Sequence, residues 1–376
     1  MRLFTFGVGN DVNTILLDTL TQEQRGASGY VQPGERIDEE VSAFYAKVST
    51  PLLADIAIEV EGVHIEDVYP YPLPDLFAGS QLVIVGRYRQ GGPAKIRLTG
   101  QVNEQEQRFI YEGFFETSGG DNFIPRLWAT RKIGYLLNQI RLHGENRELV
   151  DEIVELSIRY GIVTPYTSYL VQEEVDVLTP EGRRTIAADE FNSLSAAPEL
   201  YTGAEAVEEA EAKAAIQDAE RAAAPTSETA EVVKVVGAKA FVYRDGAWID
   251  TTFDPSRLTA QKIGFGSETY FDLLAARPDV GAYLALGDRV VMVVDGMAYE
   301  VTEDGEDDII IPPTPTPRPD LIDATPQTRT DMSAEKQGTQ QESKHSNPGL
   351  LCPGTVLAGL VLVPLAGAGL RRKRRK

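Results

Sequence analysis

The chain has 376 residues, a formal charge of −21, one cysteine and three histidines. That length accommodates two or three domains, and so acidic a balance argues against nucleic acid, whose phosphates need clustered Lys and Arg. A lone Cys352 excludes an internal disulfide and any multi-cysteine zinc site, and His64, His143 and His345 lack the HExxH spacing of a zinc hydrolase.

Arg2 to Val8, RLFTFGV, reads as a buried strand with Gly7-Val8-Gly9-Asn10 as its turn. It follows Met1 at once, without the basic start and apolar core of a secretion signal. Asn13 to Arg25 has helical spacing at Ile15, Leu16 and Leu20; Ala27 to Val31 reads as a short strand and Asp38 to Val48 as a second helix. This β-α-β-α order is the closing half of a doubly wound sheet. GVGN is an incomplete GxGxxG with no Lys-Ser/Thr after it, so no phosphate site is assigned. From Thr50 to Thr117 the period changes to two. Asp55 to Val60 alternates strictly, Gln81 to Tyr88, Lys95 to Thr99 and Arg108 to Phe115 follow, and Gln90-Gly91-Gly92-Pro93 is a turn. An antiparallel sandwich is expected, with Tyr69 to Pro74 as an extended connector.

Ile124 to Val171 reads as a helical hairpin. Ala129, Ile133, Leu136, Leu137 and Ile140 repeat with helical spacing, and so do Leu149, Ile153, Leu156 and Tyr160. Gly144 stops the first helix, and Glu145 and Asn146 open the second. Gly161 stops the second, with Ile162 where a Schellman motif places its closing apolar residue. Thr164 is held extended by Pro165, so Tyr166 to Val171 reads as a strand. Two helices with one apolar stripe each must lie against something. The hairpin is expected to clasp two domains together, with Trp128 and Leu137 buried against the sandwich.

IPRLWATRKIGYLL and ELVDEIVELSIRYGIVTPYTSYLV resemble the segment after the von Willebrand factor type A domain in inter-alpha-trypsin inhibitor heavy chains. They are still more similar to bacterial surface proteins that pair a VIT domain with a type A domain. FTFGVGNDVNTILLDTLTQEQRGASGYV resembles the end of a type A domain, so the likeness covers Arg2 to Val171. It implies an adhesion context and a metal site built from an Asp-x-Ser-x-Ser loop with a Thr and an Asp from later loops, oxygen ligands that suit Mg²⁺. No Asp-x-Ser-x-Ser occurs in this chain. No catalytic, cofactor-binding or metal residue is therefore assigned, Mg²⁺ is expected only in a complete type A domain, and the chain reads as the C-terminal part of a larger protein. The resemblance also implies that the sandwich packs with a VIT domain.

Thr179-Pro180-Glu181-Gly182 reads as a turn. Ala204 to Ala224 is mostly Ala and Glu, with Val207 and Ile216 as its larger apolar residues, which suits a solvated helix or helical linker. Val232 to Thr302 carries the strand-like runs VVKVV, AFVY, AWIDT, RVVMVV and MAYEV, with hairpin turns at Arg244-Asp245-Gly246 and Asp295-Gly296. Ser267 caps a short helix that ends before Pro278. Trp248, Phe253, Phe265, Tyr270, Phe271 and Tyr283 are read as the core of this small β-rich domain, with a glycan-binding platform as the alternative. The region resembles the accessory domain that trails the hairpin in bacterial VIT/type A proteins.

Glu303 to Asp308 reads as a solvated acidic run, and Pro312 to Asn347 as a stalk, stiff and then flexible. Leu350 to Leu370 is 21 residues without a charge, long enough for about 30 Å of hydrocarbon. Its anchor residues are Leu350, Leu351, Leu357, Leu360, Val361, Leu362, Val363, Leu365 and Leu370. Arg371, Arg372, Lys373, Arg374, Arg375 and Lys376 form the stop and the inside signal. The expected placement is a single pass through the cell membrane, with the body extracytoplasmic and the C-terminus cytoplasmic.

The expected fold class is α+β multidomain. The parts are a type A remnant (1–49), β-sandwich (50–123), hairpin and strand (124–172), helical linker (173–230), β-rich domain (231–302), stalk (303–349), transmembrane helix (350–370) and basic tail (371–376). The expected function is a membrane-anchored surface protein for adhesion or protein–protein interaction, with a protein ligand and no enzymatic activity. The alternatives are a hydrolase or peptidase ectodomain, or a stress-sensing or chaperone-adaptor component. Asp38/Glu39/Glu40 and Asp151/Glu152 are paired carboxylates, but they read as solvated charge, because catalytic pairs need burial to shift their pKa values.

Overall fold

The computed structural model describes residues 2–78, 80–117, 120–167, 177–194, 202–221, 231–303, 305 and 310–311. At the N-terminus β1 (Phe4–Val8) and β2 (Ala27–Val31) run parallel, from Phe4 opposite Ala27 to Val8 opposite Val31. Helix α1 (Thr14–Glu23) starts at Asn13, whose side chain accepts the Leu16 amide hydrogen bond and so satisfies an orphan donor of the first turn. Helix α2 (Ile37–Val48) lies on the other face of the pair, where Phe44 meets Phe4 and Phe6 edge-on. Tyr30, on the α1 face, donates to Asp18 at 2.6 Å.

Strands β3 (Pro51–Glu61), β5 (Leu76–Phe77), β7 (Gly92–Val102) and β8 (Gln105–Phe115) form an antiparallel sheet in the order β5-β3-β7-β8. β4 (Ile65–Tyr69) pairs with β6 (Val85–Tyr88). Leu53, Ile56, Leu76, Ile84, Tyr88, Ile96 and Phe115 fill the core of this unit. The connector after Tyr69 bends at Pro70–Pro72 rather than running extended.

The hairpin supplies the largest core. Helices α3 (Ile124–His143) and α4 (Arg147–Tyr160) bury Leu127, Trp128, Ile133, Leu137, Val150, Ile153 and Val154 together with Tyr69 and Val85 of the sandwich. Gly144 ends α3 at φ +88°, and Asn146 caps α4 by accepting from the Glu148 amide. Gly161 sits in the left-handed region, Ile162 N donates to Ser157 O, and Gly161 N donates to Ile158 O. These are the two bonds of a Schellman motif. The strand expected from Tyr166 is corrected: Thr167 N donates to Thr164 O and Thr164 N donates to the Thr167 hydroxyl, so the chain turns there. Residues 168–171 lie outside the described residues.

Two further expectations change. Thr179-Pro180-Glu181-Gly182 opens helix α5 (Pro180–Leu194) instead of forming an isolated turn; Thr179 accepts from Gly182 N, and Pro180 needs no partner at the first position. Helix α6 (Ala204–Gln217) is packed, not solvated. Ala206, Val207 and Ala210 are buried, and α6 lies so close to α3 that a Cβ on Gly134 would come within 2.4 Å of Gln217 N.

The C-terminal unit is a six-stranded sheet in the order β12-β14-β13-β11-β10-β9, made of β9 (Val233–Val236), β10 (Lys239–Arg244), β11 (Ala247–Asp250), β12 (Ala260–Gly264), β13 (Val290–Val294) and β14 (Met297–Thr302). Asp245-Gly246 and Asp295-Gly296 are two-residue turns with positive φ at both positions, as type I′ hairpins require. Ser267 caps α7 (Glu268–Ala276), and a 3₁₀ turn at Pro278–Val280 leads into α8 (Gly281–Leu284).

The expected transmembrane helix, Leu350 to Leu370, lies outside the described residues, as do the basic tail and residues 312–349 of the stalk. Among the described residues no helix is long and apolar enough to cross a membrane. The fold class is therefore corrected to a mixed α/β chain of sheets and eight described α-helices without that element, and the single-pass cell-membrane placement falls with it. The expectation rested on an uncharged run rich in Gly, Ala and Pro, interrupted by Pro353 and Pro364. Composition of that kind supplies a length without establishing a helix.

Candidate protein-interaction surface

Helix α3 holds the units in place through its cations, each tied to a different partner. Arg126 donates to the Tyr160 and Gly161 carbonyls, closing the end of α4. Arg131 is buried and donates to Ala219 O beyond α6 and to Val83 O of the sandwich. Burial pulls both guanidinium pKa values below their ordinary level, although arginine keeps its charge there. Lys132 pairs with Glu152 at 2.6 Å and Asp67 at 3.2 Å. Arg141 pairs with Asp18 of α1 and donates to Thr14. Trp128 donates to Asp67 O at 2.9 Å, with Arg87 and Lys132 over its ring. The C-terminal sheet is tied on through Thr251, whose hydroxyl donates to Arg159 O.

The N-terminal unit is fixed from below by these contacts and by Arg2, which bridges Asp75 and Asp55. Among the described residues nothing covers its outer side. β1 pairs only with β2 among the described residues. Phe6 and Val8, on the face that carries Phe44, are exposed, Val8 by 53%. Leu16 and Leu20 on α1 are exposed, and so are Ile37 and Tyr45 on α2, Tyr45 by 68%. One exposed leucine means little. Six large apolar side chains left outside on a unit of two strands and two helices are the kind of surface that marks an interaction site.

The paired carboxylates are held in different ways. Asp38 is exposed, and the Arg36 guanidinium holds its carboxyl below the usual range, opposite to the shift a general acid needs. Glu152 is the ion-pair partner of Lys132, and Asp151 Oδ1 is buried without a hydrogen bond among the described residues. His64, between β3 and β4, and His143, at the end of α3, are exposed, while His345 and Cys352 lie outside the described residues. Among the described residues no group of three or more His, Cys, Asp or Glu comes together, and Asn13, after the β1 turn, is engaged as the α1 cap. Trp248 is buried as expected of core, but Phe265 and Phe271 are exposed, packed at 5.5 and 5.4 Å respectively against Tyr270. The anchor and topology residues, Leu350 to Lys376, lie outside the described residues. Sequence reading missed the uncovered N-terminal face, since spacing gives the apolar stripe and not whether anything lies on it.

Comparison with known proteins fits this reading of the chain. It is 28% identical over 194 residues to inter alpha-trypsin inhibitor heavy chain 4 of Mus musculus, a match that takes in 48% of this chain and 20% of that protein. The bovine H4 heavy chain is 29% identical over 220 residues, covering 54% of this chain and 23% of its own length. Human heavy chain H3 is 28% identical over 211 residues, 52% of this chain and 23% of that one. The chain thus spans about a fifth of the length of the curated relatives it matches. No family model matches it, and no solved structure does. Over about half its length the chain is homologous to inter-alpha-trypsin inhibitor heavy chains.

Proposed function

We propose that this chain is a non-catalytic protein-binding component whose N-terminal β-α-β-α unit presents the contact surface for a protein ligand. The observation that carries the reading is the homology to heavy chains of inter-alpha-trypsin inhibitor over about half the chain. Those relatives are named as chains of a multi-part inhibitor, and assembly with another protein is the property carried over. The uncovered Phe6, Val8 and Tyr45 supply the apolar contact such assembly needs. The domain boundaries of the notional parts, and a type A origin for residues 1–49, belong to the same proposal. So does the absence of a metal site of the chain's own.

The test is affinity and turnover measured side by side on the full chain. The expected result is a saturable protein partner whose affinity falls at least tenfold with Val8→Glu or Tyr45→Ala, with unchanged melting. Calorimetry should also find no stoichiometric Mg²⁺ or Mn²⁺ site. Turnover of ester, peptide or glycoside substrates abolished by Asp151→Asn would contradict the proposal, and so would partner binding indifferent to both surface variants.

A further inference from the structure

We propose that a second copy of this chain pairs with it through β8, as an antiparallel edge-to-edge dimer centred on Ile110. β8 is the last strand of its sheet, with one edge on β7 and the other unpaired among the described residues. Its register against β7 runs without a shift from Gly92 opposite Phe115 to Val102 opposite Gln105. The strand is therefore long and free of bulges, and it contains no Pro or Lys. Bulges, Pro and Lys are among the devices by which edge strands discourage pairing, and the charges that β8 does carry, Glu106, Arg108 and Glu112, are of both signs.

The apolar content of this edge is out of place for a solvated strand. On β7 the core-facing Ile96 and Leu98 are buried, yet their direct partners Tyr111 and Phe109 are 40% and 37% exposed. Between them Ile110, on the opposite face, is 41% exposed. The core face of the sheet thus continues to its edge and stops there without a cover.

The strand's own sequence identifies the occupant. A two-fold axis at Ile110 sets Phe109 against Tyr111 of the copy and Arg108 against Glu112, each pair formed twice. Directly opposed residues share a face. The aromatic pairs would therefore extend the core side, and the ion pairs would flank Ile110 on the other. Neighbouring registers lose this match: centring on Phe109 puts Glu106 against Glu112, and centring on Tyr111 puts Arg108 against Phe114. Within one copy the ion-pair contact of Arg108 among the described residues is the exposed Glu106 at 3.7 Å, which contributes little. Self-complementarity of this kind is what a closed, isologous two-fold interface requires.

The experiment is sedimentation equilibrium of the full chain at about 0.15 M salt, where a Debye length of about 8 Å screens the repulsion between two acidic copies. The expected result is a concentration-dependent monomer–dimer equilibrium. Arg108→Glu places like charges opposite each other twice and should weaken the dimer about tenfold. Glu112→Arg should do the same, and the combined swap should restore wild-type affinity. Rescue by the double swap is an outcome that misfolding of a single variant cannot imitate. A wild-type chain that stays monomeric throughout overturns the proposal, as would occupation of β8 by some other partner. Single variants that dimerise like wild type, or a double variant as weak as the singles, overturn it equally.

Discussion

Helix α3 and the N-terminal β-α-β-α unit use similar residues in opposite ways. Trp128, Leu137 and four cations of α3 all point inward, and every cation ends on a carbonyl or carboxylate of another element. Phe6, Val8, Leu16 and Tyr45 of the N-terminal unit are left outside, on strands and helices that are otherwise well formed. The difference separates stability from function. The hairpin accounts for why the parts hold together, and the N-terminal unit is the surface proposed above for a partner.

The largest expected effect is on the hub. Trp128→Ala removes a buried ring, its hydrogen bond to Asp67 O and the surface on which Arg87 and Lys132 rest. It should cost about 3–5 kcal/mol, read as a lowered denaturant midpoint; an unchanged midpoint would mean that α3 is not the hub. Arg141→Ala removes the charge partner of Asp18, which keeps the Tyr30 hydroxyl as a donor, and should cost at most about 3 kcal/mol, with amide exchange of α1 rising first. If exchange rises uniformly, the tie is not local to the N-terminal unit.

Gly134→Ala sharpens the same point at smaller scale. The added methyl meets the backbone at Gln217, and overpacking of about 1–3 kcal/mol opposes a helix-propensity gain of about 1 kcal/mol. Net destabilisation with faster exchange across α6 is expected, whereas a stabilised variant would show α6 to be loosely docked. Val8→Glu and Tyr45→Ala come last, with stability changes within about 0.5 kcal/mol despite their loss of binding. A large drop in melting temperature would place them in a core after all.

What was legible in the sequence was local. Gly144, Gly161, Asp245-Gly246, Asp295-Gly296 and Ser267 announce their structures because positive φ and capping chemistry depend on a residue and its near neighbours. What was not legible depended on distant chain. The Ala/Glu-rich α6 is buried because Gly134, far upstream, leaves room for it. Thr179-Pro180 suits a turn and a helix start equally, and the helix wins because α5 packs Ile186 and Ala187 into the hairpin core. Phe265 and Phe271 pack on Tyr270 and are otherwise exposed, so composition alone placed them inside. The uncovered face of β1 could not be read at all, because apolar strands look the same whether or not something covers them. The membrane expectation rested on Leu350 to Leu370, which lie outside the described residues, and no helix among those described is long and apolar enough to cross a membrane.

We propose that the N-terminal face, rather than the hub, meets the protein ligand. A photoreactive phenylalanine analogue placed at Tyr45 tests it directly, with the same analogue at the exposed turn residue Glu104 as the control. The expected result is one saturable adduct with a different protein from Tyr45, no adduct with a different protein from Glu104, where a second copy of this chain is the neighbour within reach, and loss of the Tyr45 adduct when Val8→Glu is added. Adducts with a different protein of equal yield from both positions, or a Tyr45 adduct that survives Val8→Glu, would contradict it.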